Sequence, residues 1–253
     1  MRRIWRHCGI SAITFGLALG CSSKRKAPKP GAALASLSAP SWLVPLSVTG
    51  FAESRVAVPL GAQSARPLLI AIHGAHDRPE WQCGSYRGIT HGRSFILCPA
   101  GVPQAEVFTL GSPEDSAREL RAAVAALKAK FGKHLARGSV VLAALGPGVD
   151  HALALALEEP SFFSHLVLVN GSFARLTPAF ATRFGQLGGK RVLAVCGPGA
   201  CEADTDLRVQ SLRPGGVESR LVRVERGQGL DADVASVIEK QWSWLIASDS
   251  RWR

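Results

Sequence analysis

The 253-residue chain carries 30 Lys and Arg against 19 Asp and Glu, a formal charge of +11, with 47% apolar and 19% charged residues. This apolar share excludes a chain that stays unfolded for want of a core, and the length suits one large domain while leaving little room for a second. The positive surplus favours anionic partners, yet no nucleic-acid recognition motif and no interleaving of basic with aromatic residues accompanies it.

In chain order, residues 1–20 read as an export signal. Arg2, Arg3 and Arg6 precede an apolar run from Ile10 to Leu19, and small Gly20 leads into Cys21. The run is too short for a good spanning helix. The segment LALGC resembles a bacterial lipoprotein processing site, which implies lipidation at Cys21; ordinary secretion is the alternative. Membrane lipid is then a partner through the anchor, and the domain sits in the periplasm or outside the cell, held at the cell membrane or outer membrane. Export also removes nucleic acid as a partner. The signal takes three arginines with it, leaving 27 basic minus 19 acidic residues, or +8. Residues 21–45, rich in Ser, Ala, Pro and Lys, read as a flexible tether, with Lys24, Arg25, Lys26 and Lys29 serving as a solubilising stretch or a contact for anionic headgroups. Residues 46–250 form a single domain.

Within it, Glu53–Leu60 and the more apolar Arg66–Gly74 are strand candidates, Trp81–His91 a short helix and Ser94–Gly101 another strand. Ser112, Pro113 and Asp115 start the clearest helix, with Leu120, Val124, Leu127 and Phe131 at helical spacing and Gly132 at its end. Strands follow at Ser139–Leu145, Ser164–Ser172, Lys190–Cys196 and Glu218–Gly227. Helices alternate with them at Pro147–Glu159, Pro178–Leu187 and Asp204–Leu212, and a last helix is capped by Asp231. The alternation predicts an α/β protein with a mostly parallel sheet covered on both faces. Cys83, Cys98, Cys196 and Cys201 remain for an oxidising compartment; four cysteines allow three pairings, of which Cys83 with Cys98 and Cys196 with Cys201 are candidates. Paired CxxC spacing is missing, so no metal or other cofactor is expected.

Two stretches carry a resemblance. LLIAIHG ends on His73-Gly74, and VVLAALGPGVDHALAL runs from a strand through Gly146-Pro147-Gly148 into a helix. With the element order, from Glu53 to Ala247, they resemble the α/β-hydrolase superfamily, in the group of small esterases and polyester depolymerase-like enzymes. The resemblance implies a three-layer sandwich, a serine nucleophile on a sharp strand-to-helix turn, and an oxyanion hole beside His73-Gly74.

The implied machinery is degenerate. Gly146 stands at the nucleophile position, and Pro147 has no N–H where the oxyanion would need one. Gly74 and Ala75 complete that oxyanion region. Ala200 falls at the acid position, with Glu202 and Asp204 nearby, and Leu230 falls at the base position after Gly227-Gln228-Gly229. No histidine follows His165. Phosphate cradling by Gly146-Pro147-Gly148 fails too, since no Lys-Ser/Thr pair follows. His73, His76, Asp77, Asp150 and His151 remain as candidates to converge in the crevice, for a ligand or a divalent ion. Ser172 is a weaker nucleophile candidate. These residues point to an exported, lipid-anchored binding or scaffold protein of the cell envelope, with a small molecule or an envelope protein as partner. The alternative is an atypical esterase or depolymerase-like hydrolase using other residues.

Overall fold

Strands β3 (Leu68–Ile72), β7 (Val140–Leu145), β8 (Phe163–Val169) and β9 (Arg191–Cys196) are buried along almost their whole length, because residues of alternate parity meet different cores. Ile70, Leu142, Leu166 and Val192 face one apolar cluster, while Leu69, Val141, Val167 and Leu193 face the other. A sheet with two apolar faces needs a cover on each. In the computed structural model, which describes residues 33–158, 162–200, 204–227 and 229–252, helices supply both. Helices α2 (Pro113–Phe131), α3 (Gly148–Glu158), α4 (Pro178–Gln186) and α5 (Thr205–Gln210) contribute to the first cluster; α1 (Pro79–Ile89) and α6 (Ala232–Leu245) close the second.

The remaining strands of the main sheet are β1 (Leu43–Leu46), β2 (Ser54–Ala57), β4 (Phe95–Cys98) and β10 (Glu218–Arg223). The order is β1-β2-β4-β3-β7-β8-β9-β10, with β2 antiparallel to both β1 and β4 and the rest parallel. This is an α/β-hydrolase-like three-layer sandwich. Its outer strands are β1 and β10. A separate hairpin, β5 (Val102–Gln104) and β6 (Val107–Thr109), follows β4.

Local chemistry sets the helix starts. Ser112 Oγ accepts the Asp115 N–H at 3.1 Å while the Asp115 carboxylate accepts the Ser112 N–H at 3.3 Å, closing a capping box ahead of Pro113. Asp231 accepts the Val234 N–H at 3.1 Å, and Thr177 does the same for Phe180.

The folded chain reaches further towards the N-terminus than composition indicates. Leu37 is buried, its N–H donates to Ala62, and β1 begins at Leu43, so residues 33–45 join the domain instead of serving as tether. The signal segment, Cys21 and the rest of the tether lie outside the described residues. Cys83 on α1 and Cys98 at the end of β4 form a disulfide with a Cα separation of 6.0 Å. Cys196 is also disulfide-bonded, and Cys201 lies outside the described residues.

Candidate functional site

β3 lies between β4 and β7, so the chain leaves β3 to one side of the sheet and later returns to the other. Such a switch point opens a crevice beyond the strand ends. A cleft of about 520 Å³ occupies it, lined by Gly74 to Asp77 after β3, Trp81, Gln82 and Ser85 of α1, Leu145 to Pro147 after β7, and Gly229 and Leu230 before α6.

The turn on its floor is held by small residues. Gly146 has φ +56°, a region that suits glycine, and its N–H donates to Val169 O at 2.8 Å. A Cβ on Gly148 would lie 2.8 Å from His73 O, and one on Gly171 would overlap the Gly146 carbonyl and Val149. Pro147 brings no N–H to the cleft; it precedes α3 at a position where proline is well tolerated.

Across the cleft, Asp77 organises the wall. One carboxylate oxygen accepts the Gly74 N–H at 3.3 Å and the Gln82 amide at 2.9 Å; the other accepts the Arg78 N–H at 2.7 Å. The Asp77 backbone pairs with Phe108 of β6, tying this loop to the hairpin. A carboxylate of the chain itself therefore engages the Gly74 N–H beside the cleft. Ser85 Oγ donates to Leu230 O at 3.3 Å, and Trp81 stands 58% exposed at the rim.

Of the five polar residues expected to converge here, His76 and Asp77 line the cleft and three do not. His73 is 1% exposed, with its ring nitrogens 2.6 Å and 2.8 Å from the Gly74 and Ala100 carbonyl oxygens, so it braces two strand ends from inside. Glu119 holds the same loop by accepting the Ala100 and Gly101 N–H groups, each at 2.9 Å; desolvation raises its pKa against these hydrogen bonds. Asp150 pairs with Arg175 at 3.5 Å. His151 turns into the α2–α3 seam, where its Nδ1 lies 2.8 Å from Ser116 Oγ; burial lowers its pKa and favours the neutral ring. Asp150 and His151 both lie in the first turn of α3, and their side chains leave its sides toward Arg175 and Ser116.

Gly146 and Leu230 share the cleft, whereas Ala200 lies in the turn after β9 and is not on its wall. Asp204 is engaged by Arg208 at 2.7 Å, and Glu202 lies outside the described residues. Ser172 Oγ accepts the Ala174 N–H in an ordinary turn. Among the described residues, no three His, Cys, Asp or Glu side chains gather to hold a metal ion. Sequence reasoning missed Gln82 and Ser85, although their spacing from exposed Trp81 puts all three on one side of a helix, and it missed the Ser116–His151 pair.

No protein-family model matches the chain, and no curated protein matches it in sequence. Solved structures do match in shape. TT1662 from Thermus thermophilus is 18% identical with a TM-score of 0.58, over 81% of this chain and 97% of its own. Est1E from Butyrivibrio proteoclasticus, solved with ferulic acid bound, is 13% identical with a TM-score of 0.60, over 81% and 99%. A carboxylesterase from Mesorhizobium loti is 16% identical with a TM-score of 0.59, over 79% and 98%. At such identities the likeness is one of fold.

Proposed function

We propose that this chain is an exported, lipid-anchored α/β-hydrolase-like protein that binds a small ligand in the cleft without hydrolysing it. The carrying observation is that Gly146, Pro147 and Leu230 line the cleft; the α/β-hydrolase resemblance assigns these positions to attack, charge stabilisation and proton transfer. Glycine offers no attacking atom, proline no donor and leucine no base. Of the polar groups that do line the cleft, Ser85 donates to a carbonyl and Asp77 is engaged by Gly74, Arg78 and Gln82; His76 is the one imidazole there, and no hydrogen bond joins it to Ser85 or Asp77 among the described residues. An open cleft with an exposed indole at its rim favours ligand binding over a filled scaffold. The Cys83–Cys98 bridge supports export, since stable disulfides belong to oxidising compartments.

The test is hydrolysis of p-nitrophenyl acetate together with labelling by a fluorophosphonate. Purified protein is expected to show no turnover above the uncatalysed rate and no adduct, and Gly146→Ser with Leu230→His is expected to stay silent because Pro147 still withholds its N–H. Turnover in the wild-type protein that is lost on blocking the cleft would overturn the reading. A second reading rests on Ser116, whose hydroxyl meets His151 in a seam outside the cleft. It requires labelling that Ser116→Ala abolishes; that result would make the protein a hydrolase of unfamiliar layout.

The anchor has its own measurement. Radiolabelled fatty acid is expected on the wild-type protein and is expected to be absent from Cys21→Ser. Equal labelling of both would exclude Cys21 as the lipidated residue.

A further inference from the structure

We infer that the edge of the sheet opposite the cleft is a docking face for an anionic lipid bilayer. The parallel strands all start at this edge, and the residues leading into them are basic: Arg93 precedes β4, Arg137 precedes β7 and Lys190 precedes β9. The C-terminal end of α2 adds Lys128 and Lys130, and Lys133 follows at once. All six are exposed, and none forms an ion pair among the described residues.

The acids at the same edge are already engaged. Asp249 pairs with Arg251 and Glu218 with Arg191 at 2.8 Å, and Glu239 lies 3.3 Å from the His91 ring. The positive groups therefore keep their field. They span the sheet from β4 to β9, four strand spacings apart, which is about 19 Å at about 4.8 Å per spacing. The opposite edge carries the cleft and Asp77, Glu114, Asp150, Asp204 and Asp231, of which Asp150 and Asp204 pair with Arg175 and Arg208.

A broad face of separated cations fits a charged plane better than a single extended polyanion, which would favour a groove lined with aromatic groups. The described chain also begins on this face. His134 Nε2 lies 2.9 Å from Ala35 O, and Ser36 to Ser38 run beside Lys128 to His134. The sequence before that point holds Lys24, Arg25, Lys26 and Lys29. A bilayer that takes this end leaves the cleft facing away from the lipid. Docking of this kind extends the anchored reading but does not need the acyl chains.

The experiment uses the full chain with Cys21→Ser, so that its failure says nothing about lipidation. Co-sedimentation with vesicles of equal parts phosphatidylglycerol and phosphatidylcholine is compared with pure phosphatidylcholine at about 0.1 M salt, where charges act over about 10 Å. The apolar N-terminal segment contributes to both, and the difference reports charge. A preference of roughly tenfold or more for anionic vesicles is expected, and Lys128→Glu, Lys130→Glu and Lys133→Glu together are expected to remove most of it. Arg93→Glu with Lys190→Glu, at the far ends of the face, should do the same with the thermal unfolding midpoint unchanged. Arg226→Glu, at the cleft edge, should leave the preference intact. Equal binding to both vesicles, equal loss with Arg226→Glu, or tighter binding to a single-stranded oligonucleotide at matched phosphate would overturn the assignment.

Discussion

Replacing Cys83 and Cys98 together by alanine is expected to lower the unfolding free energy by about 3 kcal/mol, the loop-closure effect of a bridge across some 15 residues. The bridge joins partners 15 apart in sequence, and both cysteines are fully buried between α1 and the sheet. In the oxidised unfolded chain the segment from α1 through β4 stays a closed ring, so that state has fewer conformations to gain. Urea unfolding of wild-type protein, the double variant and wild-type protein with reductant checks this. The reduced protein should be at least as destabilised as the variant, because reductant also opens the bridge at Cys196. A variant within about 1 kcal/mol of wild type would mean that native-state strain or residual denatured structure cancels the loop effect.

Acidification is expected to have a comparable effect through His165, which lies in β8 and is 1% exposed. Desolvation, reinforced by Lys190, Arg191 and Arg251 against the opposing pull of Asp249, pushes its pKa down to about 4. The folded ring stays neutral, with Nδ1 2.7 Å from Ser164 Oγ and Nε2 3.3 Å from Ser248 Oγ. Unfolded, the ring takes a proton near its ordinary value of about 6.5. Between those values the unfolded state holds more protons than the folded one, so the contribution is complete above the upper value and fades as pH falls to the lower. The loss is on the order of 3 kcal/mol over that window and does not grow below it. His151 acts in the same direction and Glu119 in the opposite one. Both persist in His165→Gln, so subtracting that variant's pH profile isolates His165. Parallel profiles for the two proteins would refute the assignment.

Sequence and structure agree best where a pattern has one physical cause. Continuous apolar runs such as Val140–Leu145 mark strands buried on both faces, and Ser112 with Asp115 marks a helix start whichever way the helix later docks. β1 was hidden because Pro45 sits in a Ser- and Ala-rich context that reads as tether; proline is tolerated there because β1 is an edge strand. The hairpin of β5 and β6 has strands of only three residues, and its position depends on backbone bonds to Asp77 that no periodicity encodes.

The candidate site divides the same way. The Gly146 turn was legible because glycine and proline constrain the backbone by themselves. The orientation of His73 was not, since its Ala100 partner lies 27 residues on, and the meeting of His151 with Ser116 spans 35. Asp77 could be placed by sequence near the crevice, but not its grip on the Gly74 N–H, which depends on a loop folding back over a distance of three residues.

The two outer strands also bear on how copies of this protein meet at high density. An open sheet leaves two rows of backbone donors and acceptors able to zip onto another molecule. On β1 that row is broken at Pro45, which has no hydrogen to donate, and the Pro45 carbonyl accepts from Lys130 Nζ at 3.2 Å. On β10 the exposed positions are Glu218, Arg220 and Arg223, so an incoming strand would have to bring matching charges in register. Both margins resist self-templating, and crowded copies are thereby kept from polymerising through their sheets.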